Sequence, residues 1–145
     1  MRPSKEEVFL RLAVELSRLS TCARRRVGCV LIDDRWDVVG LGYNGVAAGE
    51  AHCTEAPCPG AALPSGTGLD LCEALHAEQN ALLRCRDPWR IAAALVTTAP
   101  CVTCVKLLLN TACRKIVFLE AYPHAPARAL WERTGRLWQQ IELEP

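Results

Sequence analysis

AAALVTTAPCVTCVKLLLNTACRKIVFLE, residues 92–120, is the stretch that decides how this chain folds. AAALVTT (92–98) is a short, continuous apolar run of the kind a strand buried on both faces requires. Residues 101–110 look helical, with Pro100 just before them, and KIVFLE (115–120) looks like a second buried strand. Strand, helix, strand in this order reads as a parallel βαβ unit.

Upstream, residues 71–86 look helical and stop before Pro88. GCVLID (28–33) and VVGLGYN (38–44) are β-rich runs separated by the turn-like DRWD, which reads as a hairpin. Ser4 with Glu7 forms a capping-box pattern at the start of a first helix. There Val8, Phe9, Leu12, Leu16 and Leu19 recur at helical spacing, while Arg11, Glu15 and Arg18 take the other side. From Gly45 to Leu69 the chain is Gly, Pro, Ala, Ser and Cys with no period. A loop that long in a small domain is expected to be functional or tied down. Residues 126–134 read as a last helix closed by Gly135, and RLWQQIEL as an edge strand. No internal repeat, low-complexity tract or linker interrupts residues 1–145. The expectation is one α/β domain, a three-layer α/β/α sandwich around a mixed sheet of about five strands.

Composition narrows the partners. Half of the 145 residues are apolar, enough for one substantial core. Lys plus Arg number 17 against 16 acidic residues, so no overall positive field recruits nucleic acid or an anionic membrane. The first apolar run carries charges, and no stretch of about 18 apolar residues is present to span a bilayer, so a cytoplasmic protein is expected. Nine cysteines are many for this length, and the odd count leaves at least one unpaired. In a reducing compartment clustered cysteines bind metal or do chemistry.

Cys101 and Cys104 sit three apart at the start of the helix after Pro100, so both sulfurs face one side of its first turn. The positive end of the helix dipole lowers their pKa and favours the thiolates that bind metal. Some 25 residues upstream, LHAEQNALL places His76 and Glu78 at another helix start. Two thiolates and an imidazole leave the fourth tetrahedral position of a zinc ion to water, the hallmark of a catalytic site. Glu78 beside that position is the candidate general base. A redox dithiol at Cys101 and Cys104 would require neither His76 nor Glu78. The joint pattern H-A-E…P-C-V-T-C is instead the signature of zinc nucleobase deaminases.

With these residues the sequence resembles the deoxycytidylate (dCMP) deaminase group of the cytidine deaminase-like superfamily, from about residue 8 to 120. The zinc motif, STCARRRVG (20–28), GYNG (42–45) and HAEQNALL carry the resemblance. It implies the α/β/α sandwich and conversion of dCMP to dUMP, with catalytic zinc on His76, Cys101 and Cys104 and proton transfer by Glu78. It also implies substrate contacts at Arg24 (phosphate), Asn44 (sugar), Ala77 and Tyr122 (base or phosphate), and assembly as a homo-oligomer, trimer or hexamer. Many relatives carry a proline soon after GYNG where this chain reads VAAG, and that departure leaves the family's control by dCTP open for this chain. Some phage and bacterial relatives hold a second, structural zinc near Cys22, Cys53, Cys58 and Cys72. That set fits a closed thiolate site anchoring the long loop, with His52 as the alternative ligand; the other reading is that several of these cysteines are buried small hydrophobes. Cys29, Cys85 and Cys113 are assigned to packing.

Four functions stay in play: a dCMP deaminase, a relative acting on dCTP or a modified cytosine nucleotide, a nucleic-acid deaminase, and a non-catalytic zinc module. Near-neutral charge opposes the third, since polynucleotides demand a basic groove. An intact Glu78 opposes the fourth.

Overall fold

The βαβ unit at 92–120 sits at the centre of the molecule. A computed structural model of the chain describes residues 1–22, 25–52, 55, 64, 74–122 and 125–145. In chain order the elements are α1 (Lys5–Ser17), β1 (Gly28–Ile32), β2 (Val38–Tyr43), β3 (Gly45–Val46), β4 (Ala74–Leu75), α2 (Ala77–Arg84), β5 (Ala93–Thr98), α3 (Val102–Leu109), β6 (Lys115–Glu120), α4 (Ala125–Glu132) and β7 (Leu137–Gln140). Five strands form the main sheet in the order β2-β1-β5-β6-β7. β1 runs antiparallel to both β2 and β5, whereas β5, β6 and β7 are mutually parallel. The sheet is therefore mixed, as expected, and β3 pairs with β4 in a separate two-stranded ribbon.

Strand alternation sorts the apolar side chains into two layers. Cys29, Leu31, Ala94, Val96, Ile116 and Phe118 face one side, where they pack with Ala77 and Ala81 of α2, Val105 and Leu108 of α3, and Ala127 and Trp131 of α4. Val30, Ile32, Ala93, Leu95 and Val117 face the other, beneath Leu10 and Ala13 of α1. Every residue of β1 and β5 is buried, which explains their continuous apolar sequence. Burying one large side chain such as Leu95 or Leu108 contributes roughly 1.5–3 kcal/mol. Trp131 also sends its indole N–H to the Leu137 carbonyl at 2.7 Å, tying α4 to β7.

Two glycines set how closely the helices lie on the sheet. A Cβ on Gly28 would fall 1.8 Å from the Ala13 carbonyl oxygen of α1. One on Gly42 would fall 2.3 Å from the Ala77 carbonyl oxygen and 2.4 Å from the Ala81 nitrogen of α2. The backbone of α2 thus rests directly on β2.

Two sequence expectations need correction. The core face of α1 is not the row of long apolar residues: Leu10 and Ala13 are buried, with Phe9 and Leu16 packed beside them, while Val8, Leu12 and Leu19 are exposed. The reason is Gly28, over which only a small residue such as Ala13 lets the helix approach. The helix expected over 71–86 begins only at Ala77, because Ala74 and Leu75 pair with Val46 and Gly45 and His76 is its N-cap. Among the described residues no helix is long and apolar enough to cross a membrane.

Candidate active site

The C-terminal ends of the parallel strands are where the chemistry collects. Past the end of β5, the Ala99 N–H donates to the Glu120 carbonyl at 2.8 Å, aligning the ends of β5 and β6. The antiparallel β1 starts at this same edge, with the Gly28 N–H on Thr97 Oγ1 at 3.1 Å, and β2 ends there because Gly28 pairs with Tyr43. Open α/β sheets bind ligands outside the carboxyl ends of their strands.

Two helices point their N-termini at this edge. His76 caps α2 with φ −78° and ψ 156°, and Cys101 caps α3 with φ −74° and ψ 171°. Both are extended, outside the helical region, so residues two or three further on can turn toward the same point. This is how His76 and Glu78 converge at a spacing that would part them in mid-helix. The Gln79 side chain accepts from the His76 N–H at 2.7 Å and fixes that cap. Its ring then meets both sulfurs: His76 Nδ1 lies 3.2 Å from Cys104 Sγ and 3.4 Å from Cys101 Sγ. All three donor atoms fall within 4.8 Å of one another.

That donor set fits zinc. Ligands at ~2.0–2.3 Å from a common tetrahedral centre stand apart by about the separations found here, and two thiolates with one imidazole match its borderline-soft preference. The thiols are also prepared for it. A hydrogen bond with Cys104 lowers the Cys101 thiol to about 4 against the effect of burial, with His76 adding to the pull. The same bond, with burial and Glu78, pushes Cys104 well up.

Glu78 is 4% exposed, in the first turn of α2. Burial pushes its carboxyl above the ordinary range, although the His76 charge and hydrogen bonding draw it partly back. A carboxyl raised in this way is better suited than an ordinary one to carry a proton. Three protein donors with a buried carboxyl beside them can hold a cation with one coordination position left over.

The other expected site residues divide. Ala77 is buried between His76 and Glu78. Asn44 is 8% exposed and at the same edge, where its Oδ1 accepts from the Val27 N–H at 2.8 Å and its Nδ2 donates to the Arg25 carbonyl at 2.6 Å. An amide keeps one further donor and one further lone pair after such bonds. Tyr122 follows β6 and lies against the core of the α2–α4 side. Cys22 is buried, with its N–H on Ser20 Oγ at 3.2 Å. Arg24, Cys53, Cys58 and Cys72 lie outside the described residues. Cys29, Cys85 and Cys113 are buried in the core, and burial pushes Cys113 up to about 12. Sequence reasoning missed Asn80, whose Nδ2 donates to the Tyr43 carbonyl at 2.8 Å and locks α2 to the end of β2, and Arg25, which stacks on Tyr122. The run of three arginines was the only signal for the latter.

Comparison with known proteins agrees with this geometry. Residues 3–120 match the family described as the cytidine and deoxycytidylate deaminase zinc-binding region. The deoxycytidylate deaminase of Mycobacterium phage D29 is 40% identical over 124 residues, covering 81% of this chain and 95% of its own. That of Schizosaccharomyces pombe is 36% identical over 125 residues, 83% of this chain; this chain spans only 38% of the yeast protein's length. The dCMP deaminase of cyanophage S-TIM5, solved with dCMP and dUMP, has a TM-score of 0.76 at 23% identity, covering 97% of this chain and 99% of that one, and so shares the fold.

Proposed function

The chain belongs to the cytidine and deoxycytidylate deaminase zinc-binding family, and on that premise we propose that it hydrolyses dCMP to dUMP and ammonia. The observation that carries this reading is the convergence of His76, Cys101 and Cys104 with the buried Glu78 at one edge of the sheet. The three would hold zinc, whose charge, when bound, supplies Lewis acidity that makes water a nucleophile near neutral pH. Glu78 takes a proton from the water that attacks C4 and delivers it to the ring nitrogen N3. It then passes the second proton to the amino group, which leaves as ammonia, so one water is consumed per dCMP. Asn44 is assigned to the sugar, Arg24 to the phosphate and Tyr122 to base or phosphate from the family pattern.

A second, structural zinc on Cys22, Cys53, Cys58 and Cys72 completes the reading, with His52 the alternative ligand. The buried Cys22 beside the N-terminal end of β1 supports it. Thiolate ligands suit the reducing cytoplasm. The exposed Val8 and Leu12 on α1, with Leu19 just past its end, suit a homo-oligomer that covers them. Incubating the purified protein with dCMP, dCTP, dCDP and deoxycytidine, following loss of cytosine absorbance, tests the function. Turnover of dCMP ahead of the others is expected, and preference for dCTP would move the reading to the triphosphate.

A further inference from the structure

Arg25 sits in the segment entering β1, at the same sheet edge as the metal-binding triad. The backbone on its C-terminal side is held by Asn44, which takes the Val27 N–H and gives an amide proton to the Arg25 carbonyl. The Asn44 N–H in turn donates to the Val27 carbonyl at 3.2 Å. The guanidinium carbon lies 5.9 Å from the ring centroid of Tyr122, within the range of a cation–π contact. Tyr122 is two residues beyond Glu120, whose carbonyl receives the Ala99 N–H immediately before Pro100 and Cys101. The loop segment is thus pinned and the cation has an aromatic platform.

Among the described residues this cation has no anion. Arg25 Nη1 is buried and, among the described residues, has no hydrogen-bond partner. None of the ion pairs among those residues includes it. A guanidinium is charged at every physiological pH, and a desolvated N–H left unmatched costs more than a neutral one. The planar fork of arginine matches phosphate oxygens, and a ring beneath it reduces the freedom lost on binding.

We infer that Arg25 is a specificity-determining residue whose Nη1 donates to a non-bridging oxygen of the substrate's 5′-phosphate, with Tyr122 carrying the guanidinium plane. It acts in addition to any contact made by Arg24, and it discriminates nucleotide from nucleoside. The inference rests on the nucleotide-deaminase reading above.

The test measures the dissociation constants of dUMP and of deoxyuridine by titration calorimetry on the zinc-loaded protein and on Arg25→Gln, Arg25→Lys and Tyr122→Leu. Arg25→Gln should weaken dUMP about 10- to 100-fold, the worth of a charge-assisted bond, and leave deoxyuridine within about 2-fold. Arg25→Lys keeps the charge and loses the fork, so a smaller loss confined to dUMP is expected. It also serves should the Gln variant fail to fold. Tyr122→Leu should weaken dUMP by only a few fold. Equal weakening of both ligands would assign Arg25 a structural role and overturn the inference, as would unchanged dUMP affinity in Arg25→Gln or Arg25→Lys. A parent protein that binds dUMP no better than deoxyuridine would instead overturn the nucleotide reading itself.

Discussion

Two carboxylates in this molecule are buried to the same degree, Asp33 and Glu78, each 4% exposed, and their environments drive them in opposite directions. Asp33 follows β1 at the sheet end remote from the triad. Burial alone would raise its pKa, but the N–H groups of Asp37 and Arg35, both at 2.9 Å, and the Arg90 guanidinium at 2.7 Å outweigh it, and the net shift is downward. Among the described residues Glu78 gathers fewer donors, and burial raises it. The difference teaches that burial does not decide what a carboxylate is for. Saturated with donors, a buried carboxylate is held as an anion and shapes a turn; with fewer donors it is raised, which suits the proton-carrying role proposed for Glu78.

If the ends of the sheet are separable in this way, changes at one should spare the other. His76→Ala should bring turnover to background and empty the catalytic metal site while leaving the Asp33 turn and the sheet folded. Metal analysis with far-ultraviolet circular dichroism checks both halves. Gly42→Ala drives a Cβ into the backbone of α2, so α2 must shift with the residues at its start. A loss of about 1–3 kcal/mol in stability is expected from such overpacking, with reduced turnover, read from urea melts and dCMP assays. Cys53→Ser should lower the zinc content from two ions to one, bring the melt forward and make the 45–69 loop protease-sensitive, with turnover falling only indirectly. One zinc per chain before and after the change would show these cysteines to be packing residues.

Asp33→Asn should have the least effect on turnover and act on stability alone. Because the folded pKa of Asp33 is lowered, its contribution is fully present above the unfolded value of about 3.9 and is lost as pH falls through the folded value. The gap in melting temperature between parent and Asp33→Asn should therefore be widest near neutrality and close in acid. A gap that widens in acid would reverse the sign assigned to this group.

The βαβ unit and the triad were legible because each had a pattern that the structure obeys: strands whose buried centres are apolar, and H-x-E and P-C-x-x-C at helix starts. The face of α1 was not, since its buried seam runs through Ala13, small because Gly28 brings the strand so close. The long residues Val8, Leu12 and Leu19 drew the stripe to the wrong phase. The start of α2 was misplaced because a histidine, not a Ser, Thr, Asp or Asn, occupies the N-cap. Arg25 escaped notice because its partners, Asn44 and Tyr122, are separated from it by 19 and 97 positions, distances no local period reports.

The central claim is that Glu78 moves protons and does not hold the metal. Zinc content, melting temperature and dCMP turnover measured on one preparation of Glu78→Gln test it most directly. Zinc and fold should match the parent protein while turnover falls by ~10²–10⁴-fold, the usual contribution of a positioned acid–base group. Turnover near the parental rate with zinc retained would contradict the account.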